Sequence, residues 1–131
     1  VPMENIHDSF TLVDWLVVQH VTGLGHRDAK GGNIRLSLGD GRCHFWWVDL
    51  EDLRGPERLS ETARRHQLVQ LNASLADEAF DDATRRYALE RYLRSLPFAE
   101  PVEGVARDLR ARSIARGHRY RGEKANSGAS R

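Results

Sequence analysis

Cysteine occurs once in the 131 residues, at Cys43, so no internal disulfide can form, and no Cys/His set has zinc-site spacing. No apolar run approaches the roughly 18 residues that a membrane-spanning helix needs. The N-terminus lacks the basic-then-apolar order of a secretory signal. There is no internal repeat. These absences lead to the expectation of a cytoplasmic chain. What is present suits one small globular domain: 40% hydrophobic and 30% charged residues supply a single core and argue against wholesale disorder.

A net charge of +1 conceals an asymmetry. Residues 107–131 carry eight Lys/Arg against two acids, whereas the 106 before them carry twelve against seventeen. A basic end on an acidic body can meet an anionic membrane surface, a phosphorylated saccharide or nucleic acid. The plainer reading is a solvated helix end followed by a disordered tail over 117–131. Nucleic acid is the least favoured partner, because Trp46 and Trp47 read as strand packing rather than a base-stacking platform.

Residues 9–22 read as a helix capped by Ser9 or Thr11, with Leu12, Trp15, Leu16, Val17, His20 and Val21 on one broad face. Gly23 and Gly25 end it. Ile34-Arg35-Leu36-Ser37-Leu38 alternates as a half-buried strand does, Gly39-Asp40-Gly41 signals a turn, and Cys43 to Val48 forms a second strand. The two make a hairpin. Three helices follow. The first starts at Ser60 and runs to about Leu75, burying Ala63, Leu68, Leu71 and Leu75. The second runs from Asp81 or Asp82 to Leu96, buries Tyr87, Leu89, Tyr92, Leu93 and Leu96, and stops at Pro97. The third spans 102–116. The expected fold class is α+β and mostly helical, one unit over residues 1–116.

Phosphoryl transfer asks a protein for positioning and charge stabilisation. A carboxylate must orient the attacking hydroxyl and take its proton, and a cation must stand by the transferring phosphoryl. Hard oxygen donors must hold Mg2+ against the nucleotide phosphates. The run His26-Arg27-Asp28-Ala29-Lys30-Gly31-Gly32-Asn33 carries all three within eight residues. Asp28 is the candidate base. Lys30 is the catalytic cation and a nucleotide contact. Asn33 is a neutral metal ligand, and Asp49, where the second strand ends, is a charged one; both also serve the nucleotide. The run matches the kinase catalytic-loop signature at His26, Arg27, Asp28 and Asn33. His26 and Arg27 read as supports: His26 bonding the loop and the Asp49 turn, Arg27 reaching a nearby acid. His20 reads as a satisfied core histidine. A hydrolytic metal pair of His26 and Asp28 is disfavoured, since the other histidines are scattered.

On Gly25-His26-Arg27-Asp28 with Lys30 and Asn33, and on Val48-Asp49-Leu50-Glu51, the chain resembles the C-terminal lobe of the bacterial lipopolysaccharide kinase family. These are the Kdo and heptose kinases, a branch of the protein-kinase-like fold. Arg54, Arg58-Leu59-Ser60, Arg65, Leu68, Leu71, Asn72, Ser74 and Leu75 extend the likeness, which covers about residues 9–96. As in that family, Asp49 is followed directly by helices, without a long activation segment. The resemblance implies ATP and Mg2+ as cofactors, a hydroxyl acceptor on a lipopolysaccharide core sugar, and a place at the inner face of the inner membrane. Two features depart from the pattern. Ala29 replaces the usual leucine, and only 25 residues precede His26, without a glycine-rich phosphate loop or a lysine. The expectation is therefore a C-lobe without its N-lobe. Two alternatives stand beside the kinase reading: a truncated, inactive binding or scaffold module, and another small kinase-like enzyme acting on protein or a small molecule.

Overall fold

Ser60 and Asp81 cap the helices they precede: Ser60 Oγ accepts from the Ala63 N–H at 3.0 Å, and Asp81 Oδ1 from the Thr84 N–H at 2.9 Å. Each bond satisfies one of the donors that a helix leaves unpaired at its start. The computed structural model of the chain describes residues 6–39 and 42–120. In chain order, α1 spans Ile6–Val21, β1 Gly25–His26, β2 Ile34–Gly39, β3 Arg42–Trp47 and β4 Leu53–Arg54. Then come α2 over Glu61–Ser74, α3 over Asp82–Ser95 and α4 over Val102–Ala115. Single 3-10 turns at Gly31–Asn33 and Leu50–Asp52 flank the hairpin. The fold is α+β and mostly helical.

Helix α1 starts earlier than Ser9 or Thr11 would set it, because Ile6, His7 and Asp8 are already helical. Its inner stripe is Leu12, Leu16 and His20, four residues apart, while Val21, expected inside, is 62% exposed. Tyr87 is the same kind of miss: it is 52% exposed, whereas Leu89 and Tyr92 take the buried side of α3. Ala63, Leu75, Leu93 and Leu96 are half-buried at the edge of a core formed by Leu16, Val69, Tyr92 and Val105. Trp47 is buried and Trp46 is 46% exposed, one inward and one outward as strand alternation requires.

The hairpin pairs Ile34 with Trp47 through to Gly39 with Arg42. A second, two-residue ladder pairs Gly25 with Arg54 and His26 with Leu53. It draws the segment before the hairpin and the segment after it together. Gly23 (φ 83°) and Gly55 (φ 118°) sit beside this ladder in left-handed or related backbone, and a Cβ on Gly55 would collide with the Gly23 carbonyl.

Residues 75–81 are held by Arg85, which donates to the carbonyls of Asn72, Leu75 and Phe80 and to Asp77 at 3.0 Å. A cation at the C-terminus of α2 also complements its dipole. His118 bonds Ala73 and Asp77, and Tyr120, 3% exposed, accepts from Asn72 at 2.8 Å. The expected tail begins at Gly117, so its first four residues include two that pack on α2; its remainder, 121–131, lies outside the described residues. No described helix is long and apolar enough to cross a membrane.

Candidate functional site

The loop from His26 to Asn33 is built by hydrogen bonds that come from three directions. Within the loop, the Asn33 side-chain Nδ2 donates to the Asp28 carbonyl at 2.8 Å, and the Asp28 N–H donates to His26 Nδ1 at 3.0 Å. From below, α2 contributes a polar edge. Gln67 Oε1 accepts from the His26 N–H at 3.1 Å, and Gln70 Oε1 accepts from the Ala29 N–H at 3.0 Å. Gln70 Nε2 returns a bond to the Arg27 carbonyl at 3.2 Å, and Ser74 Oγ accepts from the Gly31 N–H at 2.6 Å. Positions 67, 70 and 74 fall on one helix face. They give an irregular loop the backbone partners that a helix or sheet would otherwise supply.

The third direction is the Asp49 turn. His26 is 1% exposed, lies stacked on Trp47 (centroids 4.6 Å apart, planes at 22°), and directs Nε2 at the carbonyls of Val48 (2.9 Å) and Asp49 (3.0 Å). Since Nδ1 accepts from Asp28 and Nε2 faces two acceptors, the ring is the Nε2–H tautomer. The Val48 N–H donates to the Asn33 carbonyl at 2.8 Å, which joins the same two segments again. His26 thus supports both the loop and the Asp49 turn, as its position in the sequence suggests. Arg27 does not follow its expectation. Its guanidinium is exposed and meets no acid among the described residues.

Asp28 and Lys30 point the same way, with Nζ 3.4 Å from Oδ2 and side chains 38% and 53% exposed, respectively. A pair this open adds little to stability; it fixes where a carboxylate and an ammonium stand. Asn33 is buried, and with Nδ2 spent on the Asp28 carbonyl its Oδ1 has no partner among the described residues. No buried side-chain polar atom lacks a partner among those residues, so this oxygen reaches open space. Asp49 has φ 57° and ψ 58°, an αL conformation that costs a non-glycine residue energy and is held here by the His26 bond. Its carboxylate is exposed and also has no partner among the described residues.

Two hard oxygens, one amide and one carboxylate, suit Mg2+, which takes one or two protein ligands and completes its shell with water and phosphate oxygens. No cluster of three or more His, Cys, Asp or Glu able to hold a metal by itself occurs among the described residues.

Behind the loop lies a buried polar layer. His20 Nε2 donates to Gln67 Oε1 at 3.2 Å while Nδ1 accepts from the Tyr92 hydroxyl at 2.7 Å. Arg64 in turn donates to the Tyr92 oxygen and to the carbonyls of Leu96 and Pro97. Burial pushes the His20 pKa down to about 4, against the opposing bond to Gln67, with the Arg64 charge adding to the fall. His20 is therefore a neutral, satisfied core histidine. Gln67 and Gln70 carry no signal of this role in the sequence, since polar residues three apart on a helix read as a solvated face.

The chain matches no family model, and neither curated proteins nor solved structures give a significant match.

Proposed function

We propose that this chain is the catalytic part of an ATP- and Mg2+-dependent phosphotransferase acting on a hydroxyl, with a sugar of the lipopolysaccharide core as acceptor. The observation that carries this reading is the shared anchoring of four side chains. Asp28 and Lys30 stand 3.4 Å apart, Asn33 is tied to the Asp28 carbonyl, and His26 straps the Asp49 turn to the same loop.

In this reading the Asp28 carboxylate orients the acceptor hydroxyl and takes its proton as the new oxygen–phosphorus bond forms. Lys30 faces the transferring phosphoryl, whose bond to the bridging oxygen of ADP breaks, and its ammonium offsets the charge there. Asn33 Oδ1 and the Asp49 carboxylate would hold Mg2+, which neutralises phosphate charge. The acceptor rests on the family resemblance alone.

The test is transfer of labelled phosphate from ATP to a core saccharide by the intact protein. Asp28→Asn should lower kcat by about a thousandfold with the KM for ATP little changed. Full activity in that variant would remove Asp28 from the chemistry and the reading with it.

A further inference from the structure

A cavity of about 400 Å³ opens beside the loop, between the β1–β4 ladder and the first half of α2. Its walls carry the guanidinium groups of Arg27 and Arg54 and the imidazole of His66, its floor is Leu59 and Ala63, and the one acid lining it is Glu57. The ladder explains why two arginines meet there. Gly25 pairs with Arg54 and His26 with Leu53, and the Arg27 N–H continues the pattern by donating to the Asp52 carbonyl at 2.9 Å. Residues 27 and 54 are thus diagonal neighbours on one face of the ribbon, while His26 and Leu53 occupy the other, inner face. Directly opposite Arg54 is Gly25, which adds no side chain. A Cβ there would press 2.6 Å from Gln67 Nε2 and 3.2 Å from Leu59, so the Gln67 amide would have to shift to admit one.

Two of these three groups are uncommitted. Neither Arg27 nor His66 has a side-chain partner among the described residues. Arg54 is different: its Nη1 is fixed by the carbonyls of Glu51 (2.7 Å) and Leu53 (3.0 Å), which aims the guanidinium without neutralising it. Several arginines lining the other cavities are already committed. In the groove between α3 and α4, Arg85, Arg86 and Arg110 already meet Asp77, Glu103 and Asp82. At the floor of the cavity by His20, Arg64 is spent on carbonyls.

We propose that this cleft is an oxyanion subsite that reads a carboxylate or phosphate carried by the acceptor. Arg27 is the residue next to Asp28, so the cleft lies at the edge of the loop that carries the candidate base. Guanidinium groups suit this task because they offer paired donors matched to both oxyanions. Glu57 opposes a second negative charge and sets a limit on affinity. The inference rests on the phosphotransferase reading for the word acceptor, but the subsite itself needs neither nucleotide nor Mg2+.

The experiment is an NMR titration of the ¹⁵N-labelled chain, without nucleotide or metal, using glucuronate, glucose 6-phosphate and neutral glucose as probes. The sugar acids should shift the amides of Gly25–Asp28, Arg54 and Ala63–Gln67, and glucose should not. The tighter of the two identifies the oxyanion. Arg27→Gln and Arg54→Gln should each weaken binding roughly tenfold, the scale of one lost charge-assisted pair. Arg27→Lys should restore part of the loss and Glu57→Gln should tighten binding. Asp28→Asn should bind as the unaltered chain does, which separates this test from the test of catalysis. Equal response to glucose, shifts centred on the Arg86–Arg110 groove, or undiminished binding in well-dispersed spectra of both arginine variants would overturn the proposal.

Discussion

His26 and Asp49, 23 residues apart in sequence, are joined by a 3.0 Å hydrogen bond from the imidazole Nε2 to the aspartate carbonyl. The bond fixes an αL residue whose carboxylate faces solvent, so a buried side chain determines where an exposed one stands. His26→Leu keeps the bulk but leaves the Asp28 N–H and the Val48 carbonyl without their partner, while the Asp49 carbonyl keeps its bond from the Asp52 N–H. Unpaired buried groups cost about 1–3 kcal/mol each, and partial access of water reduces the sum to about 3 kcal/mol. Urea denaturation measures it. A variant as stable as the original chain would show that the bridge does not hold the turn.

The polar edge of α2 gives a graded prediction. Gln70→Leu strips partners from both the Ala29 N–H and the Arg27 carbonyl, and should cost about 2–4 kcal/mol. Ser74→Ala removes one bond to the more exposed Gly31 N–H, which water can replace, and should cost about 1 kcal/mol. Denaturant midpoints that reverse this order would mean that α2 does not support the loop.

That edge also shows what could be read in the sequence. The hairpin was legible because Ile34, Leu36 and Leu38 alternate with polar residues before a Gly-Asp-Gly turn. Helices α2 and α3 were legible to within a residue or two because Ser60, Asp81 and Pro97 mark their ends. The β1–β4 ladder was not, since two residues cannot display a period. Gln67 and Gln70 look like solvent-facing helix residues until a loop is laid across them. Val21 and Tyr87 have the spacing of core residues, yet they are 62% and 52% exposed. For the site, Asp28, Lys30, Asn33 and Asp49 were named by residue type and order; their common anchoring through His26 and α2 is tertiary information.

Acid should weaken the fold through His20. Its pKa falls from the ordinary 6.5 to about 4 on burial. Between those values the unfolded chain binds the proton and the folded chain does not, so stability rises with pH across the window. The contribution is complete above about pH 6.5, declines as the pH falls and is fully lost below about pH 4, a total of about 3 kcal/mol. Stability measured by urea at a series of pH values should show this slope, and His20→Gln should flatten it. An unchanged slope in the variant would place the dependence on other groups.

The central claim is that Asn33 and Asp49 form the metal–nucleotide edge of a phosphotransfer site whose base is Asp28. Paramagnetic broadening of amide signals by Mn2+–ATP reads this most directly, because Mn2+ takes the same oxygen ligands as Mg2+. Signals of Asn33 and Val48–Leu50 should broaden first, the effect should persist in Asp28→Asn, and it should vanish in Asp49→Ala. Broadening centred away from this loop, or equally strong in Asp49→Ala, would contradict the account.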